Sequence, residues 1–254
     1  MVMLILERKN IVEVLNDILG YPNRKIYQDD TFFSFSLDSV MLANFVTIRL
    51  RDKNILDLGT GNGVIPLILS LRTTKTIVGV EIQEKLATLA SKSINYNHLE
   101  NQISIMCVDM LKFVSPNTVE KFDIITCNPP YFKLNTKNFF NESKEKMIAR
   151  HEVSITLEGV IKTASKLLKN NGTFAMVHRT ERLLEIFDLF RKYKIEPKRI
   201  QFVYEKESKP STLVLIEGTH NGNSGLKVEA PFIMYHEDGS LTDMYQNFLV
   251  EVRK

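Results

Sequence analysis

From Asn54 onward the chain alternates short apolar runs with amphipathic ones, and this alternation leaves few folds open. "NILDL" reads as a strand and "VIPLILSLR" as a helix. "TIVGVEI" is a strand, and "QEKLATLASKSINYNH" a helix with Leu86, Leu89 and Ala90 on its apolar face. "ISIMCV", "FDIITC" and "TFAMVH" continue the series as strands, with a short helical stretch after the first. "LEGVIKTASKLLKN" is a helix whose stop is Asn171-Gly172, a pair suited to the left-handed turn that ends helices. "ERLLEIFDLFRKY" is a further helix, and "KRIQFVY" and "STLVLIEG" are the last strands of the series. Near-continuous apolar strands separated by helices imply a mostly parallel sheet with helices on both faces. "SKP" is too short for a crossover helix, so the last pair is expected to be an antiparallel hairpin. The expected fold is α/β with seven strands in the sheet. Ligands of such sheets bind beyond the carboxyl ends of the strands, so the residues just past each strand are the candidates for function.

Upstream, "IYQDDTFFSFSLDSVMLANFVTIRL" reads as short strands around a turn and then a helix from about Leu37. Ser36 or Asp38 would cap it, and Val40, Met41, Ala43, Phe45 and Val46 are apolar. The chain has 254 residues, 44% of them apolar, enough for one domain with additions and a full core. It contains no run of about 18 apolar residues that would span a membrane. "MVMLILERKN" is too short an apolar run to act as a secretory leader. Cys107 and Cys127 fall inside strand patterns and read as reduced core residues of an intracellular, cytoplasmic protein. Five scattered histidines give no zinc-ligand spacing, so no metal is expected. The net charge of +3 permits nucleic-acid binding without arguing for it.

The first strand of the series runs into "DLGTGNG". Gly59, Gly61 and Gly63 allow a tight turn and close approach of the backbone to a ligand. A dinucleotide fold places its third glycine one residue later, with a pyrophosphate on the helix N-terminus. Here Asp57 precedes the glycines, and its carboxylate would repel a pyrophosphate but accept from an ammonium group. Glu81, at the next strand end, can accept both hydroxyls of a ribose. Asp109, after the third strand, is placed either to accept from an adenine amino group or to cap a helix. Ammonium, ribose and adenine together describe S-adenosylmethionine.

The fourth strand delivers Asn128-Pro129-Pro130-Tyr131. Two prolines cannot continue a central strand, because neither supplies an N–H and both fix φ. They suit methyl transfer to an exocyclic amine whose lone pair is delocalised into a ring. The Asn128 side-chain oxygen and the Pro129 carbonyl would accept from the two N–H groups as the nitrogen becomes tetrahedral. The prolines hold that carbonyl rigid, Tyr131 stacks on a planar base, and the gain is positioning plus aimed dipoles.

Together, "ILDLGTGNG", "GVEI" and "CNPPYF" resemble the Rossmann-like class I S-adenosylmethionine-dependent methyltransferases that carry the amine-methylating N-P-P-Y signature. That signature is shared by enzymes acting on adenine N6 in DNA or RNA and on a protein glutamine. "YQDDTFFSFSLDSVMLANFV" and "ARHE" (149–152) narrow the resemblance to the bacterial tRNA1(Val) (adenine(37)-N6)-methyltransferase family. The resemblance implies a methyltransferase domain over 50–218, an extension 1–49 packed over the cofactor site, and a 219–254 extension of the same domain made of a final strand and helix. It implies Asp38, Ile82, Met110 and Asn128 at the cofactor beside Asp57, the glycines, Glu81 and Asp109. It implies tRNA as the partner. Alternatives of the same chemistry are rRNA guanine N2, DNA adenine N6 and protein glutamine N5; a non-catalytic binder of S-adenosylmethionine or RNA is a further one. The oligomeric state is not readable, a monomer or weak dimer being the expectation.

Segment 133–150 interleaves Lys133, Lys137, Lys144, Lys146 and Arg150 with two phenylalanines beside the N-P-P-Y turn, a pattern suited to phosphates and a splayed base. Phe132 and Arg179 are the remaining candidates for RNA contact. The basic stretch Arg191 to Arg199 reads as a solvated face.

Overall fold

A computed structural model describes residues 13–29, 37–129 and 156–251. The strands are β1 (Glu13–Ile18), β2 (Tyr21–Asp29), β3 (Asn54–Leu58), β4 (Thr76–Glu81), β5 (Ile103–Cys107), β6 (Phe122–Cys127), β7 (Leu168–Arg179), β8 (Ile195–Lys206), β9 (Leu213–His220), β10 (Lys227–Val228) and β11 (Phe232–Tyr235). The helices are α1 (Leu37–Phe45), α2 (Val64–Arg72), α3 (Glu84–Tyr96), α4 (Met110–Phe113), α5 (Leu157–Leu167), α6 (Leu183–Lys192) and α7 (Asp243–Glu251). β1 and β2 form a separate antiparallel hairpin. The main sheet runs β10-β8-β9-β7-β6-β3-β4-β5, with β11 also on β8. β3, β4, β5, β6 and β7 are mutually parallel, and β9 is antiparallel to both β7 and β8.

The expected parallel sheet with a terminal antiparallel hairpin is therefore present, but among the described residues it has nine strands rather than seven. β10 and β11 add to the free edge of β8 in parallel register. A second correction concerns α5, which ends at Leu167 rather than at Asn171-Gly172. The N–H groups of Glu120 and Lys121 take the Lys166 and Leu167 carbonyls, and Leu168 pairs with Phe122 as the first residue of β7. Asn171 does adopt the left-handed conformation (φ 60), inside an irregularity of the β6–β7 ladder rather than at a helix end. β8 also begins at Ile195, three residues before "KRIQFVY", and absorbs Pro197 at a bulge. Asp38 lies in the first turn of α1 and is not its cap; Ser36 lies outside the described residues.

Strand pleating sorts the core into two layers. Ile55, Ile124 and Ala175 face one way, into a cluster with α1, α2 and the β1–β2 hairpin. Leu56, Leu58, Ile125, Phe174 and Met176 face the other way, against α5 and α6. On α3, Leu89 and Ala90 are buried as expected, joined by Ala87, while Leu86 is half-buried. α1 is apolar nearly all round and buried nearly all round, packed on α2. Its C-terminal carbonyls are held by two guanidinium groups. Arg72 donates to Ala43 O and, at 3.0 Å, to Val46 O. Arg199 donates to Phe45 O and lies 4.0 Å over the Phe45 ring. A cation at a helix C-terminus complements the macrodipole as well as the open carbonyls. No helix among the described residues is long and apolar enough to cross a membrane.

Candidate active site

Sheet register brings the sequence candidates together. Leu58 is opposite Val80 on one side and Cys127 on the other, and Glu81 is opposite Cys107. The next residues along each strand are therefore neighbours at one edge: Gly59 beside Asn128 and Glu81, with Asp109 close behind. The glycine turn is stitched to β4, Gly59 N and Thr60 N both donating to Val80 O at 2.9 Å. Gly59, Gly61 and Gly63 have φ of 69, 57 and 89, so the turn requires the residue that tolerates this region. A Cβ at Gly59 would meet Met110 at 3.5 Å, while one at Gly61 would enter open space. The loop thus leaves room beside Gly61 for a ligand to approach the backbone.

Glu81 is buried and anchors this loop. Its two oxygens accept from Gly61 N and Gln83 N, each at 2.9 Å. Sequence reasoning assigned Glu81 to a ligand and missed this scaffold role. Asp109 caps α4, its side chain accepting from Leu111 N at 2.9 Å. Ile82 is half-buried next to Glu81, and its carbonyl lies 3.8 Å from the Cys107 thiol. Asp38 is half-buried on α1.

Asp57 is fully buried. Its Oδ1 accepts from Thr126 Oγ1 at 2.7 Å, while its Oδ2 and the Thr60 hydroxyl are buried without a hydrogen-bond partner. Burial is the main reason its pKa is raised to about 7. The Thr60 and Thr126 hydroxyls pull it down, Thr60 from a position short of hydrogen-bond geometry, and the Glu81 charge pushes it up. A buried acceptor left open beside a glycine turn suits a cationic ligand group. Thr126 escaped notice in the sequence; the signal is its place opposite Asp57 in the β3–β6 register.

A carboxyl whose folded pKa exceeds its unfolded value holds its proton more tightly when folded. Its contribution to stability is full below about 3.8 and declines as the pH rises to about 7. Ionised Asp57 therefore costs roughly 4 kcal/mol above neutrality, at 1.36 kcal/mol per pKa unit. Asp57→Asn keeps the Thr126 contact and offers an N–H to Thr60. It is expected to raise the urea midpoint at pH 8 and to lose that gain toward pH 4, while weakening binding of a cationic ligand. Urea titrations at the two pH values and calorimetric ligand titration check both halves.

Cys127 is buried, and burial followed by the Asp57 and Glu81 charges holds its thiol well above the ordinary range. Cys107 is exposed at the strand end, contrary to its expected place in the core, because β5 is the last strand of the sheet. His178 is buried near the end of β7, and its Nδ1 accepts from Arg179 N at 2.8 Å. Burial, then the Arg182 charge, lowers its pKa to about 4, so it is neutral at pH 7. Arg179 is exposed at the same end of the sheet.

Asn128 and Pro129 directly follow β6, and Asn128 Nδ2 donates to Ser39 Oγ on α1 at 2.8 Å. Pro130, Tyr131, Phe132, Lys133, Lys137, Lys144, Lys146 and Arg150 lie outside the described residues, as does "ARHE". The Arg191–Arg199 stretch is partly structural: Lys192 pairs with Glu158, and Arg199 pairs with Glu217 at 3.0 Å. Among the described residues no cluster of His, Cys, Asp or Glu is arranged to hold a metal ion.

A parallel α/β sheet ending in a glycine turn with a buried acid, and in Asn-Pro on the adjacent strand, defines a group-transferring enzyme of the methyltransferase class. Residues 37–203 match the methyltransferase small domain, and the chain belongs to that family. A curated relative from Bacteroides fragilis, a tRNA1(Val) (adenine(37)-N6)-methyltransferase, is 28% identical over 194 residues, covering 76% of this chain and 80% of its own. Among solved structures, a predicted O-methyltransferase from Agrobacterium tumefaciens aligns with a TM-score of 0.68 at 18% identity, over 85% of this chain and 97% of its own. Geranyl diphosphate C-methyltransferase from Streptomyces coelicolor, solved with S-adenosyl-L-homocysteine, aligns with a TM-score of 0.52 at 11% identity, over 72% of this chain and 79% of its own. At these identities the structural likenesses establish the fold.

Proposed function

We propose that the chain transfers a methyl group from S-adenosylmethionine to the exocyclic N6 amine of an adenine in tRNA, namely adenine 37 of tRNA1(Val). The observation that carries this reading is the register that sets Asn128-Pro129 directly beside the glycine turn. The donor supplies an electrophilic methyl group carried on a sulfonium. The open Asp57 oxygen receives its ammonium group, and the space beside Gly61 admits its backbone-hugging portion. Glu81 accepts from the ribose with the lone pairs not committed to Gly61 and Gln83. Ile82, Asp109 and Met110 line the adenine end, and Asp38 with the rest of segment 1–49 covers the site.

On the substrate side, Asn128 Oδ1 and the Pro129 carbonyl accept from the two N–H groups of the target amine. This favours the tetrahedral nitrogen whose lone pair is free to attack. The product nitrogen is acidic once methylated and releases its proton to water. Pro130 fixes the turn, and Tyr131 and Phe132 receive an unstacked base. Adenine 37 lies in a single-stranded loop, which lowers the cost of unstacking. Lys133, Lys137, Lys144, Lys146, Arg150 and Arg179 contact the RNA backbone in a cytoplasmic enzyme. The specific tRNA and position follow the name of the Bacteroides fragilis relative.

The test is incubation of purified protein and methyl-labelled S-adenosylmethionine with tRNA, rRNA, DNA and protein from cells lacking the enzyme, followed by mass spectrometry. Labelled N6-methyladenosine in tRNA alone is the expected result. N2-methylguanosine, labelled DNA or labelled glutamine would overturn the substrate, and no label with cofactor still bound would overturn the activity.

A further inference from the structure

We propose that Ser39 is a positioning residue whose hydroxyl anchors the Asn128 carboxamide to α1; this rests on the reading of Asn128 as an acceptor for the substrate amine. Ser39 is the one polar residue among the buried residues of α1. A buried hydroxyl in an apolar helix needs a partner, and Ser39 meets Asn128 Nδ2 at 2.8 Å, across 89 residues of sequence. The two branches of a carboxamide diverge from one carbon. With Nδ2 committed to α1, Oδ1 faces away from α1.

That choice matters because the two branches are nearly the same size and a carboxamide flips at little steric cost. A flipped Asn128 would present N–H donors to an amine that brings donors of its own. The Ser39 hydroxyl can accept from Nδ2 or donate to Oδ1, so it anchors the carboxamide to α1, and the amine's own N–H groups favour the pairing the structure holds, with Nδ2 on Ser39.

The acceptor is also held on a fixed element. Arg72 and Arg199 grip the far end of α1 through the Ala43, Phe45 and Val46 carbonyls. Asn44 Nδ2 donates to Val40 O at 2.8 Å, and Asn44 Oδ1 accepts from the Tyr21 hydroxyl at 2.9 Å. A site group oriented by a second side chain on a clamped helix is the arrangement that keeps geometry within a fraction of an ångström. Ser39 is thus the link between the clamped helix and the reacting end of β6.

Ser39→Ala is expected to slow single-turnover methylation about 10-fold, below the loss for removing the dipole itself, with S-adenosylmethionine affinity unchanged. Ser39→Thr keeps the hydroxyl and is expected to restore most of the rate. Ser39→Ala combined with Asn128→Ala is expected to be no slower than Asn128→Ala alone, because the two act as one unit. The side-chain ¹⁵N amide resonance of Asn128 is expected to shift in Ser39→Ala, a readout that needs no turnover. An unshifted resonance overturns the proposal, as does a double variant that loses the full factor of each single one, or a cofactor affinity that falls as far as the rate. If Asn128→Ala retains the full rate while the resonance shifts, the orienting contact stands and the catalytic reading of Asn128 is the part that fails.

Discussion

Asn128→Ala is expected to lower kcat by about 10²-fold, the usual cost of removing one aimed dipole, while S-adenosylmethionine binds as before. An aromatic amine holds its lone pair in conjugation with the ring, and attack requires that conjugation to be broken. Two acceptors on the N–H groups stabilise the pyramidal nitrogen more than the planar one, so their effect falls on the transition state. Such a loss appears in kcat and in kcat/KM together. Asn128 follows a buried strand whose Cys127, Ile125 and Ile124 are at or near zero exposure, so alanine removes the dipole from a scaffold that stays in place. Single-turnover rates with labelled donor, together with a binding titration, separate the two effects. Equal losses of rate and cofactor affinity would mean that Asn128 shapes the donor pocket instead.

The strand ends that build this site were legible because each strand is short, apolar and closed by a residue that cannot continue it. Gly59, the Asn128-Pro129 pair and the acid at Glu81 mark their own positions. The roles of the acids were only partly legible. Glu81 holds Gly61 and Gln83, and Asp109 caps α4, because a carboxylate at a strand end sees unpaired backbone N–H groups as well as any ligand. Local pattern cannot rank those partners, since both demand the same residue type at the same place. Ser39 and Thr126 were invisible for a related reason. A buried hydroxyl takes its meaning from the residue across from it, and that residue is set by register and helix packing.

The misplaced end of α5 has a different cause. Asn171 takes the left-handed conformation that its type favours, so the local signal was sound. The chain had already left the helix at Leu168, where pairing with Phe122 and burial of the leucine outweigh helix propensity. A final strand and helix were expected in 219–254, but not a second strand nor their pairing with β8, because two and four residues carry almost no periodicity. What places β11 is the aromatic packing behind it: Phe232 lies edge-on to Tyr245 and Phe248 of α7, at 6.0 and 5.4 Å between ring centres.

Glu81→Ala is expected to have two effects that separate in measurement. In the absence of ligand it deletes two hydrogen bonds to a buried carboxylate and strands the N–H groups of Gly61 and Gln83. Hydrogen bonds to charged groups contribute about 1.5–3 kcal/mol each, and water entering the vacated space offsets part of that, so a loss of roughly 2–3 kcal/mol in unfolding free energy is expected. With ligand, the variant also lacks the ribose acceptor and meets a glycine turn no longer held in its bound shape. Cofactor affinity is then expected to fall by about 10²-fold or more, since 1.4 kcal/mol is a factor of ten. Glu81→Gln refines the assignment. Its single oxygen satisfies one of the two backbone donors, while its amide nitrogen faces the other donor. If Glu81 serves chiefly as the anchor, glutamine is as unstable as alanine in urea, and binding falls in step with stability. If the ribose contact dominates, glutamine retains more affinity than alanine at equal stability, because an amide still bonds a hydroxyl. Unchanged affinity in Glu81→Ala would remove the ribose from this residue, and unchanged stability would remove the anchor.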